Sequence, residues 1–236
     1  MGIKLTFSPV GESAIFVEIP ADYLQSLVTR NQLISDITRG LLISSPEWLI
    51  DAVPSFDTLL VNFDGQKIDR YSVVSQLKSL LTPLEDKPLA QAKTEQHKIP
   101  VFFGNPSDQH PLDLNEITTH KKITVDRFVS KYCETEYRIY AIGFLPNFAY
   151  SGELHVDLSM PRLSSPRRFV PKGAVAIADR QTAVYPENSA GGWRILGYTP
   201  SVKQFGAAIR FSVGDTLSFY PISLETYLVT IEQHDD

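Results

Sequence analysis

Cysteine is nearly missing from this sequence. Cys133 is the only one, so the chain can form neither an internal disulfide nor a thiolate metal cage. Histidine is sparse as well. His97, His110, His120, His155 and His234 are the five present, and none pairs with another at metal-ligand spacing. No run approaches the ~20 apolar residues that a membrane-spanning helix needs. The opening MGIKLTFSPV lacks the apolar core and small-residue cleavage site of a signal peptide. These absences together predict a cytoplasmic protein. Positive charge is also in deficit, with 22 basic against 27 acidic side chains, a net charge of −5 and a pI of about 5.6. Neutralising a phosphate backbone takes a basic surface, so a nucleic-acid-binding module is excluded.

Several catalytic signatures are absent too. There is no G-x-x-x-x-G-K-[S/T], no G-x-G-x-x-G, no G-x-S-x-G and no H-E-x-x-H. The sequence therefore offers no P-loop, no dinucleotide fingerprint, no nucleophile elbow and no zincin site. His155 and Asp157 share one face of an extended segment, but a solvated pair explains them without a third catalytic partner. Cys133 ends an amphipathic segment and reads as a structural thiol.

What is present is an ordinary globular balance, 43% hydrophobic and 21% charged, which excludes a disordered chain. The first part alternates strands and helices. Ile3 to Phe7 and Ser13 to Ile19 read as strands. Residues 21–40 read as a helix, with Leu24, Leu27, Val28, Ile34, Ile37 and Leu41 near a 3.6 period. LIDAV and TLLVNF follow as strands around a Pro-Ser turn. Residues 69–81 form the clearest helix, with Asp69 as N-cap and Pro83 as the stop. The order predicts a small split-βαβ domain over 1–84. Residues 85–98 are polar and aperiodic and read as a linker.

Residues 99–236 read as a second domain. Helices are expected at 113–120 and 124–134, the latter capped by Thr124. Beyond Tyr137, short strands are broken by Gly and Pro: AVAIA, TAVYP, WRILG, TLSFYP and TYLVTI. That pattern predicts a barrel or sandwich, making the whole chain α+β.

The chemistry concentrates in 143–210, where 8 basic residues face 4 acidic ones. Such a local excess suits an anionic ligand. Arg162, Arg167 and Arg168 follow or neighbour prolines, which present guanidinium groups from stiff loops. Gly191 and Gly192 let the backbone approach a ligand, where their N–H groups form an anion nest. Phe144, Phe148, Tyr150, Tyr185 and Trp193 supply aromatic walls.

The same segment resembles a known family, that of the B-type subunit of bacterial 5-oxoprolinase, also called the allophanate hydrolase subunit 1 or KipI family (carboxyltransferase domain, subdomains C and D). The motifs are GFLPNFAYSG, Pro161-Arg162, PRRFVPKGAVAI, Gln181, Tyr185-Pro186, AGGW and GYTP. Upstream, GESAIFVEI, DAVPSFDTLLVNFD, IPVFFG and the loop at Pro111-Leu112-Asp113-Leu114 fit as well. Asn147, Ser151 and Ala190 depart from the usual glycine, leucine and proline, and Tyr132 stands where a histidine is common.

The resemblance implies an α/β N-terminal domain followed by a cyclophilin-like β-barrel. It implies ATP-dependent opening of 5-oxo-L-proline to L-glutamate, performed with subunits A and C, with ATP shared between chains and no metal site. It makes Arg162 and Arg167 the candidate catalytic cations. Phe144, Phe148, Tyr150, Gln181, Tyr185, Gly191, Gly192 and Trp193 become the candidate substrate-binding residues. Two other implied roles are inhibition of a sensor histidine kinase, and half of a biotin-dependent urea-type carboxyltransferase with biotin near Trp193.

Overall fold

Alternating apolar side chains build a sheet only if a second element covers one face, and the first unit of the chain supplies that cover with two helices. In this computed structural model the described residues are 4–24, 26–86, 94–108, 110–201, 205 and 209–233. The chain divides into two units, 1–93 and 94–236. The expected linker falls largely outside the described residues, at 87–93. Residues 85–86 belong to a helix and 96–98 to a strand.

The first unit runs β1 (Thr6–Val10), β2 (Ala14–Glu18), α1 (Leu27–Ser44), β3 (Leu49–Ser55), β4 (Thr58–Phe63) and α2 (Arg70–Asp86). Its strands lie in the order β1-β2-β4-β3, each antiparallel to the next. β2 and β3 therefore point the same way, with β4 between them and α1 joining them. Ile15, Val17, Leu59, Val61 and Phe63 meet Ile34, Ile37, Leu41, Val73 and Leu77 in the core.

Three local expectations fail here. α1 begins at Leu27, because the Ser26 hydroxyl accepts the Thr29 amide and caps the helix there, and Val28 is exposed. The turn between β3 and β4 is at Phe56-Asp57, not Pro54-Ser55. Phe56 takes a left-handed φ of 52°, and its carbonyl accepts from the buried Asn31 amide at 2.8 Å. Pro83 does not end α2, which continues to Asp86. Asp69 caps α2 as expected, accepting the Tyr71 and Ser72 amides.

The second unit runs β5 (Gln96–Val101), α3 (Leu114–Lys121), α4 (Val125–Cys133), β6 (Tyr137–Ile142), β7 (Ala149–Gly152), β8 (Arg167–Val170), β9 (Ala174–Ala178), β10 (Gln181–Val184), β11 (Ser189–Gly191), β12 (Arg194–Tyr198), β13 (Thr216–Pro221) and α5 (Leu224–Glu232). β13 pairs in parallel with β5 and antiparallel with β6. The ladder continues β6-β7-β10-β9-β12. Phe102, the residue after β5, bridges back to Tyr198 of β12. β8 and β11 form a separate two-stranded sheet.

β9 is buried throughout. Val175 and Ile177 enter one apolar cluster, with Tyr132, Tyr137 and Phe219. Ala174 and Ala176 face another, with Phe148, Tyr185 and Ile195. Period-two geometry thus sends large side chains to one side and leaves room for rings on the other. α3 and α4 fall where expected, and the Thr124 hydroxyl caps α4 by accepting from the Arg127 amide. TYLVTI, expected as a strand, is inside α5. The Ser223 hydroxyl accepts the Thr226 amide, and only Tyr227 of this helix is buried while Leu228 and Val229 are exposed. Apolar and β-branched content alone did not reveal that a cap and a single anchoring ring favour the helix.

Candidate functional site

The β6–β7 turn starts the site. Phe144 and Asn147 both adopt left-handed backbone, with φ of 71° and 61°. The Phe148 amide closes onto the Leu145 carbonyl at 3.0 Å. Asn147 therefore occupies a position that glycine fills easily and asparagine tolerates better than most residues. The turn drives Phe148 inward, where it is 1% exposed. Around it, ring centroids lie at 5.4 Å for Phe144, 4.8 Å for Tyr150, 5.3 Å for Tyr185 and 5.5 Å for Trp193, all edge-on. Edge-to-face contact at these distances is the favoured aromatic geometry.

These rings wall a cavity of about 520 Å³, within the size range of small-molecule sites. Arg162, Leu163, Ser164, Pro166, Ala190, Gly191 and Gly192 complete its lining. The described lining thus holds one cation, Arg162, and no carboxylate. Eight of the ten candidate catalytic and substrate-binding residues meet here: Phe144, Phe148, Tyr150, Arg162, Tyr185, Gly191, Gly192 and Trp193.

The other two do not line it. Gln181 pairs with Gly152 and Ala178 at the far end of β10 from Tyr185. Arg167 is turned to another task. Its Nη2 donates to Asp113 Oδ1 at 2.6 Å, and its Nη1 to the Trp193 carbonyl at 3.4 Å. Asp113 is 5% exposed, and its second oxygen accepts the Ile195 amide at 2.7 Å. A buried carboxylate needs such partners, so Arg167 is a structural tie behind the Trp193 wall. Nothing in the spacing of Asp113, which stands just before α3, reveals a partner on β8.

Gly191 also differs from the expectation. It pairs with Arg167 across β8 and β11, and a Cβ there would stand 2.2 Å from the Tyr185 hydroxyl. A neighbouring side chain by itself therefore requires glycine at this point of the lining. Burial pushes the Tyr185 hydroxyl up to about 12 and raises that of Tyr150. Both therefore stay protonated at neutral pH, as polar tips within an apolar wall. Ser151 is buried, its hydroxyl donating to the Ala149 carbonyl, and Ala190 sits exposed on the rim.

The remaining candidates lie outside the cavity. His155 and Asp157 occupy a turn, 3.3 Å apart and more than half exposed, with Lys131 also on Asp157 at 2.7 Å. Burial pushes the Cys133 thiol up to about 11, so it is not a thiolate at neutral pH. Among the described residues no group of three or more His, Cys, Asp or Glu is placed to hold a metal, and no helix is long and apolar enough to cross a membrane.

The arrangement is that of an α+β protein with an aromatic small-molecule cleft on its second unit. The family model for the carboxyltransferase domain, subdomains C and D, matches residues 5–205, and the chain belongs to that family. It is 29% identical over 220 residues to the B-type 5-oxoprolinase subunit of Haemophilus influenzae, covering 92% of this chain and 98% of the relative. The solved structure of TTHA0988 superposes with a TM-score of 0.72 at 26% identity, over 89% of this chain but 40% of that one. This chain therefore spans well under half of that solved relative. The urea amidolyase of K. lactis shares the fold, with a TM-score of 0.74 at 17% identity over 99% of this chain and 16% of that one.

Proposed function

We propose that this chain is one subunit of an ATP-dependent 5-oxoprolinase, which converts 5-oxo-L-proline, ATP and water to L-glutamate, ADP and phosphate together with subunits C and A. The name of the Haemophilus influenzae relative, aligned over nearly its full length, supports the subunit assignment. The strand order of the two units supports reading them as a split βαβ and a cyclophilin-like barrel.

One observation carries the substrate site: Arg162 is the sole cation in the described lining of a cleft walled by five aromatic rings, and that lining has no carboxylate. A planar lactam packs against such rings, and its carboxylate takes the guanidinium fork. The residues of the cleft do not suit ATP. One guanidinium and aromatic walls make no triphosphate cradle, and the sequence has no P-loop. Activation of the lactam oxygen by phosphoryl transfer is therefore assigned to the partner subunits. This chain binds and orients the ring and excludes water from it.

The test is 5-oxoproline-dependent ATP hydrolysis by the chain reconstituted with subunits C and A. Arg162→Ala is expected to lower kcat/KM by roughly 100-fold, the scale of losing one charged contact to the reacting ligand. Normal turnover in that variant would remove the cleft from the mechanism.

A further inference from the structure

The segment that carries Arg162 has little to hold it by packing. From Pro161 to Pro166 no side chain is buried, and only Leu163 is partly so. Its conformation rests on main-chain contacts to either side of Arg162. The Pro161 carbonyl accepts from Arg194 Nε at 2.9 Å, and the Leu163 amide donates to the Gly192 carbonyl at 2.7 Å. Arg194 is itself aimed by Glu116 of α3, whose Oε1 accepts from Nη1 at 2.8 Å. The Arg194 side chain is 12% exposed and Glu116 61%. A guanidinium held at two of its nitrogens is fixed in plane and direction, which an ammonium could not reproduce.

We infer that Arg194 is a positioning residue: by fixing the Pro161 carbonyl, it holds Arg162 over the cleft and the 161–166 segment against Gly192, beside Trp193. The inference rests on the reading of the cleft as a 5-oxoproline site. Arg194 does not line the cavity, so any effect on substrate must travel through the segment it holds. Glu116 contributes through the same contact and weakly, since it is mostly in solvent.

A double-mutant cycle on the reconstituted complex tests this, together with a readout that needs no turnover. In the cycle, Arg194→Ala is expected to raise the KM for 5-oxoproline by roughly 10-fold to 100-fold, the scale of a misplaced binding group. Arg162→Ala with Arg194→Ala is expected to be no worse than Arg162→Ala alone, within about twofold. Glu116→Gln, an exposed and fold-neutral change, shifts KM in the same direction by less.

The second readout is acrylamide quenching of Trp193 in a Trp48→Phe background. Trp48 is buried in the first unit, and with it replaced Trp193 is the only indole. Quenching is expected to rise on Arg194→Ala and, less, on Glu116→Gln. Losses that multiply in the double variant would overturn the inference, as would unchanged quenching. If Arg162→Ala turns over normally, the substrate reading of the cleft falls, and the quenching alone decides whether Arg194 holds the segment.

Discussion

Asp113 and Arg167, 54 positions apart in sequence, meet at 2.6 Å behind the wall of the cleft. The carboxylate is 5% exposed and the guanidinium a quarter exposed. Asp113 also takes the Ile195 amide, and Arg167 reaches the Trp193 carbonyl. One ion pair thus joins the start of α3, strand β8 and the chain that carries Trp193.

Breaking that pair leaves a charge without its partner. Asp113→Asn is expected to destabilise the chain by about 2–3 kcal/mol, below the fully buried range because Arg167 still reaches solvent. Urea unfolding followed by Trp193 emission in the Trp48→Phe background measures this. A loss under about 0.5 kcal/mol would mean that water replaces the carboxylate without cost.

Gly191→Ala places a methyl group 2.2 Å from the Tyr185 hydroxyl. Tyr185 is 1% exposed and cannot swing out freely. Overpacking of this kind costs about 1–3 kcal/mol. Adding Tyr185→Phe removes the nearest clashing atom and should recover part of the loss, although the ring itself still crowds the new methyl group. Equal melting of the single and double variants would point to a different source of strain.

Asn147 holds a φ of 61° in the turn that aims Phe148. Asn147→Gly is expected to leave stability nearly unchanged, since relief of the left-handed backbone offsets the looser unfolded chain. Asn147→Val should cost about 1–2 kcal/mol and blunt the ring contacts of Phe148. Thermal melts with near-ultraviolet circular dichroism report both effects.

Alkaline pH separates the tyrosines. Burial holds Tyr185 at about 12 and also raises Tyr132, Tyr137 and Tyr198 well above the ordinary tyrosine range. Their folded values exceed their unfolded ones, so the unfolded chain releases its protons first as pH rises. The stability that depends on them is intact below about pH 10 and falls as pH climbs through 10 toward 12. Tyrosinate absorbance should show an ordinary phase near 10 and a late phase coincident with unfolding. Cys133, held near 11, should alkylate slowly at about pH 7 and faster at about pH 9. Rapid alkylation at neutral pH would contradict its burial.

Much of the fold was legible in the sequence because the signals were local. Asp69 and Thr124 cap helices where their side chains dictate, and AVAIA and TLSFYP are strands by β-branched content and spacing. The misreadings have two causes, a cap that outweighs composition and an anchor distant in sequence. TYLVTI became helix α5 because the Ser223 cap and the burial of Tyr227 outweigh its strand-like composition. Pro54 stayed within β3 because Asn31, far away in α1, anchors the turn further on, at Phe56.

The site was legible as a set of residue types, not as a set of roles. Rings, arginines and glycines crowd into 143–193 along the chain and gather in one cleft in space. Yet Arg162 and Arg167, similar beside their prolines, end with opposite duties. Only Arg162 lines the cavity, while Arg167 holds Asp113. The roles of Asp113, Glu116 and Arg194 left no trace in the sequence pattern, because each works through a partner far along the chain.

Family membership, the two-unit α+β organisation and the aromatic, cationic character of the cleft all follow from motifs, local periodicity and composition. These are properties of neighbouring residues, so the linear order of the chain is enough to specify them. Which arginine lines the cleft, why Gly191 must lack a side chain, and what holds the Arg162 segment in place emerge only in three dimensions. They depend on ion pairs and close approaches between residues distant in sequence, and no local pattern encodes such distances.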